Sequence, residues 1–202
     1  MEINKIEDIL VPTKPIGANG WDQEILPVIL GYADYVGDNL VSPASQAEIE
    51  NAEKRLGATL PEDLRLFYLR FGNASLMETL LPVADFYYLS ASWPESLLGR
   101  YTGEEREALS KLIVFGEFLG NGNVWCFHKD DKKIFYFVHD SRPNINGMFN
   151  TFAEYLKPLL IYSQGMVLGE GVEGIEEATE KMVIGLIGKD RVRVWQYFPG
   201  WG

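Results

Sequence analysis

The chain has 202 residues, 47% of them hydrophobic, 13% aromatic and 23% charged, with a formal net charge of −11. These values suit one globular domain of generous size, or one domain with extra arms at its ends, and the aromatic content promises a substantial core. The acidic balance speaks against a nucleic-acid partner, because phosphates need a basic surface.

The longest apolar runs, such as Ile134 to Val138 and Leu159 to Tyr162, are far too short to span a bilayer. The start, Met-Glu-Ile-Asn-Lys, has no basic region followed by an apolar stretch and reads as carrying no leader. Cys126 is the only cysteine, so no intrachain disulfide forms, and the cytoplasm is the simplest location. The charge is uneven. Residues 1–53 hold ten acids against Lys5 and Lys14, so eight of the eleven net negative charges lie there. Such a field favours a basic protein partner. It equally serves solubility alone.

Residues 1–44 read as an arm packed on the main domain. Pro12, Pro15, Pro27 and Pro43 break any long helix, yet Trp21, Ile25, Val28, Ile29, Tyr32 and Tyr35 are too many large apolar groups for disorder. Ser45-Gln46-Ala47-Glu48 is a capping box, and Ile49, Ala52 and Leu56 then share one helical face before the Gly57 stop. A second helix starts at Pro61, carries Glu62 and Asp63 near its positive end, presents Leu64, Phe67, Tyr68 and Phe71, and ends at Gly72.

Strands follow at Leu76 to Val83, Leu112 to Phe118, Asn123 to His128 and Lys133 to His139, with a short helix near Glu104 to Leu109 and a hairpin turn at Lys129 to Lys132. Phe135 and Phe137 point one way and Ile134, Tyr136 and Val138 the other, so the last of these strands is expected to be central or covered on both faces. A third helix opens with the capping box Thr151 to Glu154, buries Phe152, Leu156, Leu159 and Leu160, and is expected to kink or end at Pro158. The extension, residues 163–202, reads as a glycine-rich start, a helix over Glu173 to Leu186, and a strand over Arg191 to Phe198.

Sites of chemistry are sparse. His128 and His139 fall about five residues apart on the hairpin ladder, roughly 16 Å at strand rise, too far to share an ion, so no metal site is read there. Asp130-Asp131 lacks the calcium-loop spacing and reads as a solvated turn. Gly120-Asn121-Gly122 lacks the strand-to-helix context of a dinucleotide loop. Cys126 with His128 on the same face could form a nucleophile pair, but a mid-strand thiol is by default buried and inert, and no oxyanion feature accompanies it. No catalytic residue and no cofactor is assigned. The partner-binding candidates are Trp21, Asp22, Asp34, Tyr35 and Asp38, where aromatic anchors mix with carboxylates suited to an arginine-rich partner, together with Trp125 and Asp140. Trp21 and Tyr35 could instead simply pin the arm.

Several segments, in order, resemble the SMI1/KNR4 (SUKH) superfamily. Ile49 to Gly57 followed by Leu60-Pro61-Glu62-Asp63-Leu64-Arg65-Leu66-Phe67-Tyr68 is similar to the opening of that domain, with a helix ending in Leu-Gly and a Leu-Pro starting the next. Leu112 to Gly116, Gly120 to Val124, Val138-His139-Asp140 and Thr151-Phe152-Ala153-Glu154-Tyr155-Leu156 match later pieces. Gly122-Asn123 stands where the family often has Gly-Asp, and Gly72-Asn73-Ala74 where it often has Asn-Gly, so no binding detail is carried over.

The resemblance covers 45–162. It implies an α+β fold, an antiparallel sheet packed against helices, with the N-terminal arm and C-terminal extension outside it. It also implies a non-enzymatic role: an immunity protein neutralising a toxin, nucleases included, or, as in fungal relatives, a regulatory scaffold. A third expectation, from a different class, is a small-molecule binder or enzyme using a pocket beside Trp125 and Asp140.

Overall fold

The computed structural model describes residues 5–38, 42–74, 76–92, 98–117, 122–140, 142, 144–169 and 172–195. They group into two compact units: a sheet unit, 42–73 and 78–152, and a helical unit, 1–41, 74–77 and 153–202. The sequence reading divides the chain at 44 and 162 instead.

The sheet unit begins with two helices, which follow helix α1 (Trp21–Val36) in the chain. Helix α2, Gln46–Leu56, forms where the capping box predicts: the Glu48 N–H donates to Ser45 Oγ at 3.2 Å, and the Ser45 N–H donates to Glu48 Oε2 at 2.7 Å. Gly57 closes it at φ 62, a left-handed position that costs a glycine nothing. Helix α3, Glu62–Phe71, follows Pro61, whose carbonyl accepts from the Arg65 N–H. Their buried faces are those predicted: Ile49, Ala52 and Leu56, then Leu64, Phe67, Tyr68 and Phe71.

The antiparallel six-stranded sheet runs β1 (Thr79–Leu80), β3 (Leu112–Glu117), β4 (Val124–His128), β5 (Ile134–Phe137), β6 (Ile145–Phe149), with β2 (Tyr87–Tyr88) also paired to β3. Helix α4, Gly103–Leu109, has its own capping box, Thr102 with Glu105. The β4–β5 hairpin turns at the predicted residues, with Lys132 at φ 63 and its Nζ donating to Thr59 O at 2.6 Å. Both sheet faces are covered, as the alternation on β5 requires. On one, rings interlock edge to face: Tyr68 on Phe86 at 5.4 Å, Phe67 on Phe152 at 5.4 Å and Phe115 on Phe152 at 5.8 Å. On the other, Leu89, Leu109, Leu112, Val114, Val124, Cys126 and Phe137 form a second cluster. Arg55 ties α2 to the segment before β2 by donating to Phe86 O and Ala84 O at 2.7 and 2.8 Å.

The helical unit departs from the sequence reading. Trp21–Val36 is a continuous helix, α1, with Pro27 inside it. Proline removes one backbone bond and costs about 3 kcal/mol in a helix interior. The buried stripe Trp21, Ile25, Val28, Ile29, Tyr32 and Ala33 offsets that loss. Helix α5, Phe152–Leu168, also runs through its proline, Pro158, instead of ending there, because every residue from 158 to 165 is buried. Gly165 is therefore not loop: a Cβ there would lie 2.7 Å from Thr179 Oγ1, so its absence lets α5 and α6 (Ile175–Ile187) touch.

Lys189–Trp195 is a helix, α7, where alternation predicts a strand. Val192 and Trp195 are the buried pair, a helical i, i+3 spacing hidden in an alternating string. Trp195 stacks on Tyr155 at 6.1 Å and meets Tyr162 edge-on at 5.6 Å. The predicted strand's end, 196–198, lies outside the described residues. The Gln164 amide ties α5 to the N-terminal segment, accepting from the Leu10 N–H and donating to the Leu10 carbonyl, each at 2.8 Å.

Two sheet details also differ. The predicted strand Leu76 to Val83 shrinks to Thr79–Leu80, because Pro82 cannot extend a ladder and the Met77 N–H donates to Ser163 Oγ at 3.0 Å. β6 was not foreseen: Asn-Ile-Asn-Gly-Met-Phe lacks alternation, and a register shift opposite Ile134 and Phe135 further hides it.

Candidate partner-binding surface

The predicted surface residues divide by burial. Trp21 opens α1 and is only 7% exposed, so it anchors the helix and is corrected from surface contact to core. Its position at the start of the buried stripe is the physical reason. Asp22 beside it is partly buried. Asp34, Tyr35 and Asp38 are all exposed at the other end of α1, Tyr35 at 43%. At 1.5 Å per residue the two groups lie about 20 Å apart along the helix, so they do not form one patch.

Trp125 is likewise corrected. It is 0% exposed, with its ring 4.5 Å from Tyr136 and 6.0 Å from Phe149, because β4 turns it into the aromatic layer of a sheet covered on both faces. It lines no open pocket with Asp140, which is exposed after β5.

Sequence reasoning missed Leu30 and Val36, each 41% exposed and on the same helix as Asp34 and Tyr35. For Leu30 the signal was available once α1 is drawn as a helix: Leu30 and Asp34 are one turn apart, opposite the buried stripe, whereas Val36 is in phase with that stripe and is exposed at the helix end. Among the described residues, the large apolar side chains more than a third exposed are Val11, Leu30, Tyr35, Val36 and Leu186.

Glu24, also on α1, has a local task. Its carboxylate accepts from the Lys14 and Thr13 N–H groups at 3.1 and 3.0 Å and from Thr13 Oγ1 at 3.0 Å. The Lys14 backbone bond, more than the others, holds its carboxyl below the usual range. Asp34 stands in the last turn of α1, which holds no base.

The other chemical candidates have local partners. His128 Nδ1 lies 3.3 Å from Asp131 at the hairpin turn, while His139 Nδ1 lies 2.9 Å from Asn123 Oδ1 at the opposite end. Among the described residues, no three His, Cys, Asp or Glu side chains are grouped to hold a metal ion. Cys126 is buried, and desolvation pushes its thiol far above the ordinary range, leaving it protonated. No helix among the described residues is long and apolar enough to cross a membrane.

No curated protein matches the chain. The sequence profile of the SMI1/KNR4 family (SUKH-1) matches residues 43–157, more than half the chain and nearly the same stretch as the sheet unit. With two capped helices leading into an antiparallel α+β sheet over that stretch, the chain belongs to the SMI1/KNR4 family (SUKH-1).

Proposed function

We propose that this protein is an immunity protein: a non-catalytic, cytoplasmic binding domain that holds a basic toxin domain, nucleases among the candidates, and blocks its active site or substrate path. Family membership is the observation that carries the reading. The net charge of −11, concentrated in the first 53 residues, supports a basic partner, since opposite fields speed encounter. A folded domain that fills and screens an active site needs no catalytic group of its own.

The test is to immobilise the full chain and capture partners from lysate of its own source at low, then moderate, salt. The expected result is one stoichiometric basic partner that arrests growth when expressed alone and ceases to do so when this chain is co-expressed. Several housekeeping partners and no toxin would refute the reading in favour of a regulatory scaffold.

A further inference from the structure

The two edges of the sheet are finished differently. One is split between β1 and β2, two residues each, with Pro82 between them. Short strands and proline are among the devices that keep an edge from pairing with other chains. The other edge is β6, Ile145–Phe149, five residues with no charge and no proline.

The ladder shows which groups β6 leaves open. The Val138 N–H donates to the Asn144 carbonyl at 2.9 Å, and two residues along Tyr136 faces Asn146, so these are the hydrogen-bonded pairs. Ile145 and Gly147 alternate with them, opposite Phe137 and Phe135, and turn their N–H and C=O groups away from β5. Among the described residues nothing bonds to those outward groups, and Gly147 is exposed.

This edge is complementary to itself. Antiparallel pairing about a two-fold axis at Asn146 sets Ile145 of each copy opposite Gly147 of the other, and the two pairs exchange four N–H to C=O bonds. Gly147 has no Cβ, so the Ile145 side chain of one copy has room beside Phe135 of the other, whose ring lies 3.5 Å from where that Cβ would stand. Ile145 and Phe135 are both only partly buried and pack against the same cluster on one face of the sheet, so pairing also covers apolar surface. Charge favours the same occupant. The acidic balance calls for a basic partner, yet β6 offers such a partner no carboxylate, whereas two uncharged strands meet with no like charges opposed.

We infer that β6 is a self-pairing edge, through which two copies of this chain join their sheets into one. The inference goes beyond the immunity reading and does not depend on it. A single short strand pair falls short of the roughly 1,000 Å² that a stable interface needs, so the dimer is weak and reversible.

Sedimentation of the full-length chain from about 10 μM to about 1 mM tests this, because weak pairing populates a dimer only toward the upper end. Amide shifts of the nitrogen-15-labelled chain over the same dilution should centre on Ile145, Asn146 and Gly147. Salt should tighten the dimer, since it screens repulsion between two acidic chains and the contact holds no ion pair. Gly147 does not have a positive φ, so other residues fit its backbone. Gly147→Pro removes two of the four bonds at a position whose N–H faces solvent in the monomer. Gly147→Lys keeps the backbone and places a cation on the edge. Each should weaken dimerisation by about tenfold or more. The lysine also lowers the net negative charge, so a dimer held by any other surface would be as tight or tighter in that variant. A wild-type chain still monomeric at about 1 mM in about 0.5 M salt would overturn the self-pairing edge. So would dilution shifts centred elsewhere, or a Gly147→Lys dimer as tight as the wild type.

Discussion

Asp34→Asn is the sharpest test of the idea that charge on α1 is held at a cost to folding. The substitution is nearly isosteric, and Asn and Asp have similar helix propensities, so the main change is the charge itself. Asp34 is exposed, three residues before the Gly37 cap, whose N–H donates to the Ala33 and Asp34 carbonyls. A carboxylate at that end of a helix is unfavourable by about 0.3–1 kcal/mol at low ionic strength.

The variant should therefore be more stable by about that amount. With an m-value of about 2–3 kcal/mol/M, its urea midpoint should rise by about 0.1–0.5 M. In about 1 M salt the screening length falls to about 3 Å and the gain should vanish. Urea titrations followed by tryptophan fluorescence, in both salts, decide it. No gain at low salt, or a gain that persists at high salt, would refute the electrostatic argument.

Three further outcomes follow from the packing. Gly165→Ala should gain about 1 kcal/mol of helix propensity and lose about 1–3 kcal/mol to overlap with the stiff Thr179 side chain, a net loss. In a Thr179→Ala background, where only the Cβ contact at 3.2 Å remains, the same change should be neutral or stabilising, and equal effects in both backgrounds would rule out the contact. Glu24 has a lowered pKa in the folded state, so its stabilisation is present above the unfolded pKa and lost as pH falls through the folded one. Protection of the Thr13 and Lys14 amides, corrected for intrinsic exchange, should be lost at a lower pH than that at which a free glutamate titrates, whereas Glu24→Ala should remove it at every pH. Cys126 should react with a thiol reagent only as fast as the protein opens, and rapid labelling of the native state would contradict its burial.

Much of the sheet unit was legible because its signals are local. Ser45 and Glu48 satisfy each other's backbone neighbours within one turn, Gly57 closes α2 by its own dihedral, and the alternation on β5 states that both faces are buried. The resemblance over these residues pointed to the same α+β fold and family.

The site was legible only in part. Asp34, Tyr35 and Asp38 could be named as suitable residue types. Trp21 and Tyr35 are fourteen residues apart and nearly in phase on α1, so the burial of one and the exposure of the other are decided by what packs on each end of the helix, while Leu30 looks like core until the phase of a helix running through Pro27 is known.

By itself the sequence determined the capped helix pair, the central strands, the hairpin turn and the acidic balance, since each rests on residues a few positions apart. Only the tertiary structure decided the continuity of α1 and α5 through their prolines, the helical state of Lys189–Trp195 and the pairing of β6. In those segments local preference is weak or contrary. The outcome is set by what distant residues bury: the Val192 and Trp195 side chains in one case, a neighbouring strand in another, and for Gly165 the Thr179 side chain on the next helix.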